Sequence, residues 1–340
     1  MSEINSIIVV GASAGGLKAI SELLSVLPAT VVAPIFIVLH VSRKSDGEIL
    51  VSHLQKRTKL ECVLPSDGEI IKAGHVYIAP PDYHLLVTAK IMRVIKGPHE
   101  NRWRPSIDVL FRSAAAAFDA GAVGIILTGL LDDGTAGMSA IKRSKGICIV
   151  QEPVEAEFGD MPANVLKAVD VDYRVPIADM GYILDDITAK NRAKRMNNVP
   201  EDITLENRIT ERMVTGIEDL EKLGTKSDFT CPDCGGGLWL MKNETFPRYR
   251  CFTGHVYSDQ LLLDKQDESL EESLWISVRM MEERKHLLET TAYHHHQLGN
   301  SSQEEEKTGQ ARELQFHIDR IKELIKSLSI GASANNGGFE

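Results

Sequence analysis

The stretch Val9-Val10-Gly11-Ala12-Ser13-Ala14-Gly15-Gly16-Leu17 lies between two periodic segments. Ahead of it, Ile7-Ile8-Val9-Val10 is a short continuous apolar run of the kind a buried strand presents. Behind it, Leu17, Ile20, Leu23 and Leu24 recur at helical spacing. A serine therefore occupies a glycine-rich turn between a strand and a helix. Glycines let the backbone turn sharply and approach a ligand closely. The helix N-terminus aims unpaired N–H groups and a positive dipole end at whatever Ser13 touches. A hydroxyl so placed can attack a carbonyl and have the oxyanion held nearby.

Three functional readings of this turn compete with a structural one. Dinucleotide binding needs glycine where Gly11-Ala12-Ser13 puts serine, and an acidic residue after the second strand. Instead, Ile35-Phe36-Ile37-Val38-Leu39 runs into His40. Gly11-x-Ser13-x-Gly15 fits the nucleophile elbow literally, but the α/β-hydrolase arrangement has several strands before its serine. A serine hydrolase on another α/β sheet is the third reading. The structural alternative is a glycine-rich turn with a helix-capping serine.

The chain has 340 residues, 43% of them hydrophobic and 25% charged, which is ordinary for globular protein and long enough for two or three domains. A net charge of −10 and a pI near 5.6 give nucleic acid and anionic membranes no basic patch. The N-terminus shows no signal-peptide pattern and the chain no membrane-spanning run, so a cytoplasmic location without membrane insertion is expected. Three of the five cysteines cluster at 231–251, while Cys62 and Cys148 stand alone. In a reducing compartment the cluster reads as metal ligands rather than disulfides.

Up to about residue 185, apolar runs alternate with helical patterns. Strands are expected at 5–10, 35–39, 76–79, 122–128 and 147–150, and helices at roughly 15–26, 106–119 and 135–144. Leu85-Leu86-Val87 and Ile91-Met92-Arg93-Val94 read as an inserted hairpin. The expected fold is α/β, a mostly parallel doubly wound sheet. Ligands of such sheets bind beyond the carboxyl ends of the strands. Ser13 and His40 stand at two such ends, and Asp132-Asp133-Gly134 follows a third. Singly, each has a plain structural explanation as a cap, a turn or a half-buried polar group. Together they supply what a triad needs: a nucleophile, a base and a carboxylate that fixes the base's tautomer.

Three segments carry a family resemblance: Gly11-Ala12-Ser13-Ala14-Gly15-Gly16, Ile37-Val38-Leu39-His40, and Leu127-Thr128-Gly129-Leu130-Leu131-Asp132-Asp133-Gly134-Thr135-Ala136-Gly137-Met138. Tyr77-Ile78-Ala79-Pro80, Pro105-Ser106-Ile107-Asp108, Gln151-Glu152 and Phe158-Gly159-Asp160-Met161-Pro162 add to it. Over about residues 5–186 the chain resembles the catalytic domain of bacterial chemotaxis protein-glutamate methylesterases, the CheB type. The resemblance implies Ser13 as nucleophile, His40 as general base and Asp133 as orienting acid. It also implies substrate contacts at Ala14, Gly15 and Leu130, with N–H groups near Ala14 and Leu130 holding the oxyanion. The implied reaction hydrolyses a γ-glutamyl methyl ester on a chemoreceptor-like protein, without a catalytic cofactor. Two positions depart from the family pattern: Ala14 replaces a usual Thr and Leu130 a usual Met. The family's N-terminal receiver domain has no counterpart ahead of the first strand, so control by phosphorylation in cis is not expected. Arg104 and Arg112 are candidates for meeting an acidic receptor surface. A non-catalytic adaptor and an esterase for small-molecule esters are the alternative functions.

Residues 187–225 read as a charged linker and a helix with Ile209, Met213, Ile217, Leu220 and Leu223 on one stripe. At 226–258, Cys231-Pro232-Asp233-Cys234 and Cys251-Phe252-Thr253-Gly254-His255 read as the two halves of a zinc-ribbon-like module. Leu238-Trp239-Leu240 and Arg248-Tyr249-Arg250 would be its hairpin strands. Three thiolates and one imidazole make a closed tetrahedral set, which marks structural zinc. From 259 to 330, Leu262, Leu270, Leu274, Val278, Met281 and Leu288 share one face, and Leu314, Ile318, Ile321, Ile325 and Leu328 follow a heptad after the Gly299-Asn300 break. This predicts a helical hairpin or coiled-coil arm, open to a signalling partner. Residues 331–340 are expected to be disordered.

Overall fold

The structure is a computed structural model and describes residues 4–28, 30–189, 196, 199–213 and 215–335. Strand β1 (Ile7–Ala12) is buried along its whole length. Successive strand side chains point to opposite faces, so Ile7 and Val9 enter one core while Ile8, Val10 and Ala12 enter another. That alternation requires a sheet covered on both sides.

In chain order the elements are α1 (Gly16–Val26), β2 (Ile35–Leu39), α2 (Gly47–Gln55), β3 (Glu61–Val63), β4 (His75–Ile78), β5 (His84–Val87) and β6 (Met92–Ile95). There follow α3 (Ile107–Phe118), β7 (Ala122–Ile126), α4 (Thr135–Arg143), β8 (Ile147–Gln151), α5 (Asp160–Ala168), β9 (Tyr173–Val175) and α6 (Ile177–Ala189). The main sheet has seven strands in the order β3-β4-β2-β1-β7-β8-β9, and every pairing is parallel. Helices α1 and α6 cover one face through Ile20, Leu24, Met180 and Leu184. Helices α3, α4 and α5 cover the other through Phe111, Met138 and Met161. The hairpin is a separate antiparallel pair, β5–β6, whose Leu85 and Met92 join the second face. Strand order reverses at β1, which is where open α/β sheets form ligand crevices.

The expected linker at 187–225 is largely ordered secondary structure. Helix α6 continues to Ala189, and α7 (Glu201–Arg212) places Ile203 in the core beneath α3. The single stripe expected there is two elements, because Met213 takes a left-handed φ of 54° and ends α7 before α8 (Ile217–Leu223). Ile209, Leu220 and Leu223 are buried, whereas Met213 and Ile217 are exposed. Residues 190–195, 197 and 198 of that expected linker lie outside the described residues.

Beyond it, β10 (Gly224–Thr230), β11 (Gly237–Met241), β12 (Arg248–Cys251) and β13 (Val256–Ser258) form an antiparallel meander in sequence order. From Leu262 onward the chain forms a second unit of two helices, α9 (Asp259–Gln297) and α10 (Ser301–Asn335). Lys285 donates to Gln315 at 2.6 Å, and His296 pairs with Glu304 across the Gly299 turn, so α9 and α10 run antiparallel. Their shared core is Val278, Ile318 and Ile325, with Leu270 and Leu328 left exposed. Helix α10 reaches Asn335, so the expected disordered tail is helical at 331–335, where Ala332 and Ala334 favour helix. Residues 336–340 lie outside the described residues. Among the described residues, no helix is long and apolar enough to cross a membrane.

Candidate active site

Ser13 follows β1 directly, and its N–H donates to the Thr128 carbonyl at 3.0 Å. Gly15 then takes a φ of 71°, a left-handed conformation that glycine adopts without strain, and α1 begins. His40 leaves the end of β2, its N–H donating to the Ala12 carbonyl at 3.1 Å. Neighbouring parallel strands thus deliver nucleophile and imidazole to one edge. His40 Nδ1 lies 3.2 Å from Ser13 Oγ, and His40 Nε2 lies 2.9 Å from Asp133 Oδ2. A carboxylate only accepts, so Nε2 carries the hydrogen and Nδ1 presents its lone pair to the serine. That is the tautomer a general base needs.

Asp133 is buried, and it is held by more than the imidazole. Ser106 Oγ and the N–H groups of Ile107 and Asp108 donate to it at 2.9, 2.7 and 3.3 Å. The carboxylate therefore caps the N-terminus of α3. Burial alone would raise its pKa, but His40, Ile107 and Ser106 outweigh burial and hold the carboxyl below the usual range. Asp108 repays the arrangement by accepting from the N–H groups of Gly134 and Gly137 at the start of α4. Burial and the neighbouring Asp133 push the Asp108 carboxyl well up. Asp132, the other carboxylate of the pair, is not on the relay, and burial raises its carboxyl.

Of the expected substrate contacts, Ala14, Gly15 and Leu130 lie along this edge. Among the described residues, no backbone hydrogen bond engages the N–H groups of Ala14 or Leu130. Gly129 brings the second strand of backbone close: a Cβ there would meet Ser13 Cβ at 2.9 Å and Met161 Sδ at 2.6 Å. The Phe158–Pro162 segment pins this approach, because Gly129 N–H donates to Phe158 O and Met161 N–H to Gly129 O, both at 3.0 Å. In front of Ser13 and His40 opens a cleft of about 760 Å³, lined among others by Leu17, Lys18, His53 and Arg57.

With this geometry in hand, the likeness to known proteins is specific. Residues 8–184 match the model of the CheB methylesterase family. The chain belongs to that family. A Leptospira interrogans protein provisionally named a protein-glutamate methylesterase/protein-glutamine glutaminase is 38% identical over 189 residues, 55% of this chain and 97% of that protein. A Trichodesmium erythraeum protein-glutamate methylesterase/protein-glutamine glutaminase is 34% identical over 50% of this chain, which spans 49% of that longer relative. The crystal structure of the Thermotoga maritima CheB methylesterase catalytic domain aligns with a TM-score of 0.51 at 30% identity, covering 54% of this chain and 98% of that one.

Within this CheB-family domain, several site residues escaped the sequence reading. The Trp103 ring stacks on the His40 imidazole with centroids 3.9 Å apart and planes 8° from parallel. Asn101 Nδ2 donates to Asp108 at 2.7 Å and to Asp133 at 3.4 Å. Their only sequence signal is a polar turn ahead of Pro105-Ser106-Ile107-Asp108, whose Ser-x-Asp pattern marks a helix start. The structure removes Arg104 and Arg112 as receptor contacts. Arg104 is held by Asp82 and the Gly97 carbonyl, and Arg112 is buried between Glu100 and Glu206. Both guanidiniums are consumed internally, because burial demands a partner for each charge.

Cys231, Cys234, Cys251 and His255 converge at the edge of the β10–β13 sheet. Their ligand atoms all lie within 4.8 Å of one another, and all five cysteines of the chain are unpaired.

Proposed function

We propose that this chain hydrolyses methyl esters of glutamate side chains on a chemoreceptor-like protein. The observation that carries the proposal is the unbroken relay from Ser13 Oγ through His40 to Asp133. His40 Nδ1 takes the serine proton as Ser13 Oγ attacks the ester carbonyl. The Ala14 and Leu130 amides receive the oxyanion. His40 then protonates the departing methoxide, giving methanol and an acyl-serine. Water, deprotonated by the same nitrogen, cleaves that acyl bond and regenerates Ser13 with a free glutamate. The names of the relatives pair this activity with glutamine deamidation. The same acyl-enzyme forms from a primary amide, with ammonia leaving in place of methanol.

Lys18 and Arg57 beside the cleft support a substrate rich in acidic side chains. The unpaired cysteines support a reducing, cytoplasmic setting. Helix α9 leaves Trp275, Met280 and Leu287 exposed, which supports a signalling partner at the C-terminal helices. The test is methanol release from receptor membranes carrying labelled methyl groups. Wild type should release label, and Ser13→Ala should lower the rate by about 10⁶-fold, to the background of the assay. Equal release by both proteins would refute the serine mechanism. No release by either would favour the adaptor, and turnover confined to small acyl esters would favour the small-molecule esterase.

A further inference from the structure

The cysteine cluster and the catalytic relay are joined by strand β13. Cys234 Sγ and Cys251 Sγ are 3.8 Å apart, and His255 Nδ1 lies 3.6 Å from Cys231 Sγ and 3.5 Å from Cys251 Sγ. A tetrahedral zinc, bonded at about 2.3 Å to sulfur and about 2.0–2.1 Å to nitrogen, separates its ligands by roughly 3.5–3.8 Å. The surroundings are those of a ligand set held in place. The His255 N–H donates to Cys251 Sγ at 3.2 Å. The Tyr257 hydroxyl lies 3.1 Å from Cys231 Sγ and donates to Asp233 at 2.7 Å. Partners of this second layer orient ligands before a metal arrives. Four protein ligands fill a tetrahedron and leave no open position, so the ion would be structural.

The residues flanking those ligands reach the active site. Val256, next to His255, accepts the Asn101 N–H at 3.0 Å. Arg250, immediately before Cys251, donates to Glu100 at 3.1 Å. The Val256 and Arg250 ties grip one tight turn, 100–103, closed by the Trp103 N–H on the Glu100 carbonyl at 2.9 Å. Asn101 and Arg102 take φ values of 49° and 68°, which side-chain-bearing residues adopt at a cost. The turn needs outside support, and β12 and β13 supply it. On its inner side the same turn carries Asn101 to Asp133 and Trp103 onto His40.

We propose that Cys231, Cys234, Cys251 and His255 bind one zinc ion, and that this ion, through β13, fixes the 100–103 turn against the catalytic pair. Asn101 and Trp103 are then positioning residues. The positioning half rests on the esterase reading; the metal half does not.

The experiment uses the full chain. Elemental analysis should find about one zinc per chain, and Cys251→Ser should remove it. Amide hydrogen exchange is then compared between zinc-loaded and chelator-stripped wild type, so that nothing depends on a variant's folding. Stripping should speed exchange at Asn101 by about tenfold or more while the Val9 and Val10 amides of β1 keep their protection. Hydrolysis by the stripped protein should show kcat down by about tenfold with KM unchanged, restored by zinc. Absence of zinc from the purified chain overturns the proposal. So does exchange at Asn101 that stripping leaves unchanged, or simultaneous loss of protection in β1, which would make the ion a support of the whole fold. Metal content and exchange need no turnover, so their failure is separate from failure of the esterase assay.

Discussion

Asp133 accepts from His40, Ser106, Ile107, Asp108 and Asn101, more donors than aiming one imidazole requires. The surplus keeps the buried carboxylate ionised, and an ionised carboxylate fixes which nitrogen of His40 is free. Asp133→Asn should therefore fold and still fail. An amide with its oxygen in the Oδ1 position still accepts from Ser106, Asp108 and Asn101, and its NH₂ in the Oδ2 position faces His40 and leaves the Ile107 N–H without an acceptor. Nε2 must then accept, the hydrogen moves to Nδ1, and the lone pair facing Ser13 is lost. The expected loss is about 10⁴-fold in kcat with little change in KM. Steady-state kinetics checks it, and a loss under tenfold would mean that Asp133 only packs. Ser13, His40 and Asp133 were legible because each follows an apolar run, and the ends of such runs meet at one sheet edge. Asn101 and Trp103 were not, because a turn held in left-handed conformations has no periodicity and its supports lie about 150 residues away on β12 and β13.

Helices α3 and α4 exchange caps: Asp133, ahead of α4, closes α3, while Asp108 of α3 closes α4. This exchange demands close approach of the helices, and Gly137 permits it. A Cβ at 137 would meet Phe111 Cβ at 2.6 Å and the Asp108 Cα at 3.0 Å. Gly137→Ala sets two effects against each other. Helix propensity favours alanine by about 1 kcal/mol. Overpacking against a neighbouring backbone costs about 1–3 kcal/mol and stretches the 2.6 Å bond from Gly137 N–H to Asp108. The clash wins, because neither obstacle is the end of a flexible chain. Urea unfolding should show a lowered midpoint, and a raised one would refute this packing argument. The helices α1, α3 and α4 and the central strands were readable from periodicity. Helix α2 was not, since Ile49 is exposed and only Gly47 and Leu54 are buried, which leaves too narrow a stripe. The three-residue strands β3 and β9 are too short to show an alternation.

At the scale of residues 4–261, the catalytic sheet, α7 and the β10–β13 meander are clamped by buried charge. Arg112 of α3, Glu206 of α7 and Arg248 and Arg250 of β12 meet with Glu100 of the catalytic turn. Sequence reading saw a charged linker here because charges on α7 look solvated until their partners, 40 to 110 residues distant, are known. Burial would raise the carboxyls of Glu100 and Glu206, but the guanidiniums outweigh it and hold both below the usual range. As pH falls through about 4.3, the unfolded chain takes up these protons first. The folded state then binds fewer protons, so this contribution is complete above about pH 5 and is lost as acid approaches the lower folded values. Glu206→Gln keeps the shape and cannot titrate. At pH 7 it should unfold about 3–5 kcal/mol more easily, because Arg248 and Arg112 lose a buried counter-charge. Its stability should also fall less steeply than wild type between about pH 5 and pH 3, since one titrating carboxyl is gone. Urea unfolding followed by tryptophan fluorescence across that range measures both, Trp239 lying in the meander and Trp103 in the catalytic turn. Parallel pH curves for the two proteins would show that folding leaves the Glu206 carboxyl unshifted, and the guanidiniums would then not be holding its charge.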